Sequence, residues 1–281
     1  MKYNRVFTFG CSFTSYWWLT WPDILAQEFQ IPVYNYGLSG AGNQYIFNTF
    51  CQADSKHKID GNDLVITSWT NVCREDRFLA KQGWITPGNI FTQDIFDKKY
   101  VNKWVDPVGF LLRDIASIHC TTKYLKEKGT EHYNLQMCEI IEQSDQQSFN
   151  NKIDGDSNYN KILDVYKETI NTLRPGFMEV LWNNDIYTNK LLQDPQKFGR
   201  FSDGHPSPEE HLKYIQTVLP FEYSDNTLRK VQECQNNLEK IMIEKSNEIG
   251  KEFYIFELSD SEQNKIKQTC SLNLTITPDF I

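Results

Sequence analysis

The groups best suited to chemistry are a serine on a tight turn near the start of the chain and, far downstream, an acid and an imidazole one residue apart. Ser12 lies in Gly10-Cys11-Ser12-Phe13-Thr14, directly after the apolar run Val6-Phe7-Thr8-Phe9. A strand ending there carries the hydroxyl to the edge of a sheet. Gly10 permits the sharp turn, and the backbone N–H groups that open the next segment favour an oxyanion beside Ser12. Ser202-Asp203-Gly204-His205-Pro206-Ser207-Pro208 sets a carboxylate and an imidazole just before a helical pattern. A serine hydroxyl is a weak nucleophile until an imidazole removes its proton. His205 therefore suits a general base toward Ser12 and then a general acid toward a leaving alcohol. Asp203 would hold the imidazole tautomer. A backbone carbonyl is the alternative holder, because a carboxylate two residues away has to curl back.

Two further blocks, Asn35-Tyr36-Gly37-Leu38-Ser39-Gly40 and Trp69-Thr70-Asn71, lie between these ends. Together the four blocks resemble the SGNH (GDSL-like) hydrolase family, whose short motifs are dispersed along one α/β domain. The resemblance runs over about residues 5–219 and is one of motifs, not of continuous sequence. It implies a triad of Ser12, Asp203 and His205, and an oxyanion hole built from the N–H of Ser12, the N–H of Gly40 and the side chain of Asn71. It also implies hydrolysis of a carboxylic ester through a Ser12 acyl-enzyme, with no metal and no organic cofactor. The substrate would be an acetyl-glycan, a short acyl ester or a lipid ester. An acyltransferase of the same fold and a catalytically inactive binding or structural protein are the alternatives. The chain departs from the family pattern in three blocks. Cys11 stands where the first block has Asp, and Trp69 and Val72 replace the glycine and final Asp of the third. In the fourth the family spaces acid and base as Asp-x-x-His, so Ser202 occupies the usual acid position and Asp203 sits one residue closer.

These residues need a scaffold, and the chain reads as alternating strands and helices. Strands are expected at residues 6–9, 31–35, 63–69 and 133–140, and helices at 22–29, 43–53, 107–128 and 162–173. Residues 178–182 read as a last strand or a short helix, 80–104 as an insertion without periodicity, and 143–160 as a polar surface segment. The fold class is α/β, a three-layer α/β/α arrangement with a mainly parallel central sheet plus a C-terminal helical extension. Ligands in such sheets sit at the carboxyl ends of the strands, where Ser12 and Asn71 fall. The expected division is a hydrolase domain over 1–220 and an extension over 221–281. In the extension Leu228, Val231, Leu238, Ile241, Met242 and Ile249 share one face of a helix over 224–248, stopped by Gly250. That face is expected to pack back on its own domain. A homodimer through this helix, or a lid over the ester site, is the alternative.

Composition narrows the function classes. The net charge of −8 and the scattered Lys and Arg argue against a nucleic-acid partner. No run approaches the ~20 apolar residues of a membrane span, and the first strand follows Met1 too closely for a signal peptide. Seven spread cysteines without a Cys-x-x-Cys pair disfavour a disulfide framework or zinc ribbon, so a cytoplasmic location is expected. Cys11 is expected to be a small buried side chain. His57, His119, His132 and His211 share no ligand spacing. Trp17, Trp18 and Trp21, beside Tyr16, are candidates for the wall of an acyl or sugar pocket, against the alternative that at least two pack the first helix on the sheet. Arg74, Glu75, Asp76 and Arg77 follow Asn71 and are read either as ion pairs ordering the oxyanion loop or as a solvated cluster.

Overall fold

A computed structural model describes residues 2–92, 95–141, 157–182 and 195–278. Seven strands form among the described residues: β1 (Arg5–Gly10), β2 (Val33–Gly37), β3 (Asp63–Trp69), β4 (Arg77–Leu79), β5 (Gly83–Ile85), β6 (Glu131–Gln136) and β7 (Leu173–Gly176). Five of them make one sheet in the order β2-β1-β3-β6-β7, with every pairing parallel. β3 is buried along its whole length, as an apolar strand covered on both faces must be. The chain passes from β1 outward to β2, then crosses back to β3 on the other side of β1. The carboxyl ends of β1 and β3 therefore border the point where the strand order reverses.

Helices cover both faces, giving three layers. On one face lie α1 (Trp21–Phe29), α7 (Phe177–Trp182), α9 (Pro208–Val218) and α10 (Asp225–Ile249). On the other lie α2 (Asn43–His57), α4 (Pro107–Glu127), α5 (Ser157–Val165) and α6 (Lys167–Ile170). Among the described residues the other α-helices are α3 (Lys98–Trp104), α8 (Pro195–Phe198) and α11 (Asp260–Cys270). Local chemistry sets their starts. Asp106 accepts the Gly109 N–H at 2.8 Å to open α4, and a Ser207/Glu210 capping box with Pro208 in the first turn opens α9.

Several expected elements shift. The second strand starts later, at Val33, and runs to Gly37. The strand expected over 133–140 occupies Glu131–Gln136, because the Gln136 side chain turns back to accept the Ile140 N–H at 2.9 Å. The helix expected over 162–173 breaks after α6, and Leu173–Gly176 becomes the last strand, β7. Pro175 is tolerated there because β7 is an edge strand. Residues 177–182 are helical, and the insertion expected over 80–104 carries α3 and β5, which pairs with β4 just before it. The polar stretch over 143–160 lies mostly outside the described residues.

The segment beyond Pro220 packs on its own chain. Val231, Cys234, Leu238 and Met242 of α10 are buried, and α10 contacts α1, α8, α9 and α11. Leu238 and Met242 join Trp18, Phe198, Phe201 and Phe253 in a second core. Much of the apolar face of α10 is thus buried within the chain. The tail then reaches the sheet: Ile276 exchanges backbone hydrogen bonds with Val33 and Asn35, each 2.8 Å, beside β2. Among the described residues no helix is long and apolar enough to cross a membrane.

Candidate active site

Ser12 sits two residues past the end of β1, on a turn closed by the Cys11 carbonyl, which accepts the N–H groups of Thr14 at 2.9 Å and Ser15 at 3.2 Å. The turn is too tight for a side chain at residue 10, since a Cβ on Gly10 would collide with the Thr14 hydroxyl. α1 begins only at Trp21, so the donors beside Ser12 belong to this turn and not to a helix terminus. Ser12 is buried, and among the described residues neither its hydroxyl nor its N–H makes a hydrogen bond. Cys11 is fully buried with Sγ 3.9 Å from the Met137 sulfur, the small packed side chain expected of it.

Gly40 lies past the end of β2 in a turn closed by a 3.1 Å bond from the Ala41 N–H to the Leu38 carbonyl. Its φ of 76° is the left-handed value that the third residue of a type II turn needs. A Cβ there would also strike the Thr86 carbonyl oxygen. Asn71 lies two residues past β3, and its Oδ1 accepts the Cys73 N–H at 2.8 Å. That bond fixes the amide and leaves its NH₂ group as the free end among the described residues.

The two loops are tied together through buried polar groups. Asn43 Oδ1 accepts the Thr70 N–H at 2.8 Å, while its Nδ2 donates to the Thr70 carbonyl at 3.0 Å and to Asp114 at 2.9 Å. Asp76 accepts the N–H groups of Gly42 and Tyr45, both at 2.8 Å, and Arg74 donates to the Ala41 carbonyl at 2.9 Å. Arg113 pairs with Glu75 and Asp114. Arg74, Glu75 and Asp76 are therefore cross-linked to neighbouring elements, whereas Arg77 pairs with Glu75 from an exposed position. Burial pushes the Asp114 carboxyl up to about 6 and raises that of Asp76, against the opposing pull of nearby Arg113.

At the fourth block, Asp203 does curl back. Its Oδ1 accepts the backbone N–H of His205 at 2.9 Å and faces His205 Nδ1 at 2.6 Å. A carboxylate can only accept, so in the neutral ring Nδ1 carries the proton and Nε2 the lone pair. Asp203 Oδ2 accepts the Tyr16 phenol at 2.9 Å, and the Tyr16 ring stacks on the imidazole with centroids 3.7 Å apart. Burial, then the adjacent Asp203, hold the Tyr16 phenol far above its ordinary value, so it stays a donor. Phe13, next to Ser12, meets the His205 ring edge-on at 5.5 Å. The block is braced from outside as well. Trp18 Nε1 donates to the Pro206 carbonyl at 2.8 Å, and the Ser202 N–H donates to the Phe253 carbonyl at 3.0 Å.

The structure thus brings Ser12, Gly40 and Asn71 to the carboxyl edge of the sheet, and Asp203 and His205 against the turn that carries Ser12. Of the three tryptophans proposed for a pocket wall, Trp21 is enclosed in the main core and Trp18 in the second core, 0% and 1% exposed, so both are packing residues. Trp17 lines a groove of about 250 Å³ with Ser15, Tyr16, Leu38, Ser39 and Lys267. Among the described residues no group of three His, Cys, Asp or Glu side chains is arranged to hold a metal ion. The sequence reading missed the contacts of Tyr16, Asn43 and Asp114. Only the placement of Tyr16 four residues after Ser12 was a usable signal.

No protein-family model matches the chain, and no curated protein matches it in sequence. Solved structures do match. A catalytic mutant of an acetylxylan esterase from Geobacillus stearothermophilus is similar with a TM-score of 0.45 and 14% identity, over 79% of this chain and 98% of that one. A member of the lipolytic G-D-S-L family from Veillonella parvula is similar with a TM-score of 0.41 and 13% identity, over 77% of this chain and 99% of that one.

Proposed function

We propose that this chain hydrolyses carboxylic esters with Ser12 as nucleophile and His205 as general base. The observation that carries the reading is the 2.6 Å contact between His205 Nδ1 and Asp203, which leaves Nε2 as the basic atom of a ring packed against the Ser12 turn. Rotation of the Ser12 hydroxyl toward Nε2 would start the reaction. The proton passes to Nε2 as Oγ attacks the ester carbonyl, and Asp203 stabilises the imidazolium. The oxyanion is met by the N–H of Ser12, the N–H of Gly40 and the Asn71 amide, each donor contributing on the order of 10²–10³ in rate. His205 then protonates the leaving alcohol, and water, deprotonated by the same imidazole, releases the acid from Ser12.

The groove of about 250 Å³ beside Tyr16 and Trp17 is lined by none of Ser12, Gly40, Asn71 and His205, so its size does not select among acyl groups. Trp17 offers the aromatic surface on which a sugar ring stacks. The test is labelling by a fluorophosphonate probe with the modified peptide mapped, followed by a panel of acetylated sugars and nitrophenyl esters of graded chain length. Label on Ser12, lost in Ser12→Ala and His205→Ala, is the expected result, with turnover down by roughly 10⁶ in either variant and the double variant scarcely worse. An unlabelled wild-type protein, or full ester hydrolysis by Ser12→Ala, sinks the reading, and the former outcome favours a binding protein that retains the fold.

A further inference from the structure

Tyr16 touches both the acid and the base of the shortened fourth block. With one residue between acid and base, Asp203 Oδ1 is spent on two bonds to His205, the backbone N–H at 2.9 Å and Nδ1 at 2.6 Å. Only Oδ2 remains to fix the plane of the carboxylate, and its partner is the Tyr16 phenol at 2.9 Å. The same side chain restrains the base from a second direction, because its ring lies nearly parallel to the imidazole, 21° apart at 3.7 Å. Tyr16 is itself held by edge-on contacts from Trp17 at 4.7 Å and Trp18 at 4.5 Å. Trp18 in turn bonds the Pro206 carbonyl, closing a loop around the block.

On the ester-hydrolase reading above, we infer that Tyr16 is a positioning residue for catalysis: it orients Asp203 through its phenol and His205 through its ring. Its place in the chain gives this a consequence. Tyr16 belongs to the stretch that carries Ser12, so one short segment bears the nucleophile and also fixes the acid and the base. Registration between Ser12 and His205 then does not depend on the distance between the first and fourth blocks along the chain. Among the described residues, the titratable groups around the imidazole are Asp203, Tyr16 and His211 on α9. His211 is uncharged near neutral pH, since burial, then His205, pulls it down to about 3.

The experiment compares the full-length protein with Tyr16→Phe, which keeps the ring and removes the phenol, and Tyr16→Leu, which removes both. The His205 imidazole is titrated by NMR, and kcat and KM are measured across pH on the best ester of the panel. Loss of the phenol leaves more negative charge on Asp203, which favours the imidazolium. Both the His205 titration and the acid limb of kcat/KM should move up, by about half to one pH unit. In Tyr16→Phe kcat should fall about tenfold with KM changed less than about twofold. Tyr16→Leu should lose about a further tenfold through the freed ring. A merely structural tyrosine would lower stability and leave the titration where it was. A folded Tyr16→Phe protein with an unmoved titration and an unchanged kcat overturns the inference while Ser12 labelling stands. Failure of Ser12 to label in the wild type is the separate failure of the hydrolase reading.

Discussion

Asp203 holds His205 at two points with one oxygen, the backbone N–H at 2.9 Å and the ring Nδ1 at 2.6 Å. A spacing of one residue is enough because the carboxylate folds back over its own chain, as Asp side chains do in turns. The short block therefore does not force the imidazole to rely on a backbone carbonyl.

Replacing that carboxylate tests whether its charge is used. Asp203→Asn keeps an acceptor for the two N–H groups and removes the charge that stabilises the imidazolium. Turnover on the best ester should fall about 10⁴-fold with the fold intact by circular dichroism. A loss under about tenfold would remove Asp203 from the catalytic set and leave His205 in place.

Asn71 separates an oxyanion role from a loop-holding role. Its Oδ1 caps the Cys73 N–H at 2.8 Å, a bond that Asn71→Asp preserves while the donor NH₂ becomes a negative oxygen. We expect Asn71→Asp to melt within a few degrees of wild type and to lose at least about 10²-fold in kcat, the typical cost of one oxyanion donor. Wild-type turnover in that variant would take Asn71 out of the hole.

The sequence made legible what depends on local pattern. β3 matched residue for residue because a fully buried strand bounded by Gly61-Asn62 has no other good reading, and α10 was visible in its apolar face and its Gly250 stop. β7 was hidden because four residues that include Pro175 carry no strand signal, and its pairing with β6 comes from tertiary context. The β4–β5 hairpin was hidden because β4 is exposed and shows no alternation. At the site, Ser12, Asp203 and His205 stood out as motif residues. The Tyr16–Asp203 bond joins positions 187 residues apart, and Asn43 meets Asp114 across 71, so neither leaves a local trace.

Acid stability should report on His211. Its ring is 1% exposed, packs edge-on to Phe177 at 5.5 Å, and makes no hydrogen bond among the described residues. Burial, then the charge of His205, lowers it from the ordinary 6.5 to about 3. A base depressed in the folded state binds its proton more readily when unfolded. Its contribution is therefore intact above about pH 6.5 and is lost as pH falls from there toward about 3, by at most about 1.4 kcal/mol per pH unit. His211→Phe should flatten the decline of urea-unfolding free energy between about pH 6.5 and 4.5. Parallel declines in the two proteins would mean that the buried imidazole finds a partner for its proton.

The segment beyond Pro220 should prove inseparable from the site. Its Phe253 carbonyl accepts the Ser202 N–H at 3.0 Å, and the Phe253 N–H donates to the Arg200 carbonyl at 3.2 Å. The strand-like stretch leading into Asp203 and His205 is therefore paired to the tail. The second core makes the same connection through side chains, since Trp18 and Phe201 from the first part of the chain meet Leu238, Met242 and Phe253 from the last. Truncation after Pro220 would uncover these aromatics together and should yield an aggregating protein. A milder probe avoids that collapse. Leu238→Ala, at a side chain with no solvent exposure, should cost about 2–5 kcal/mol in urea unfolding while leaving Ser12 labelling intact below the transition. Phe253→Ala at a nearby point of the same core should cost a similar amount and also slow the labelling, because it loosens the backbone that braces Ser202. Equal labelling rates in the two variants, or a soluble and fully reactive protein truncated after Pro220, would show that the tail stabilises the fold without holding the site.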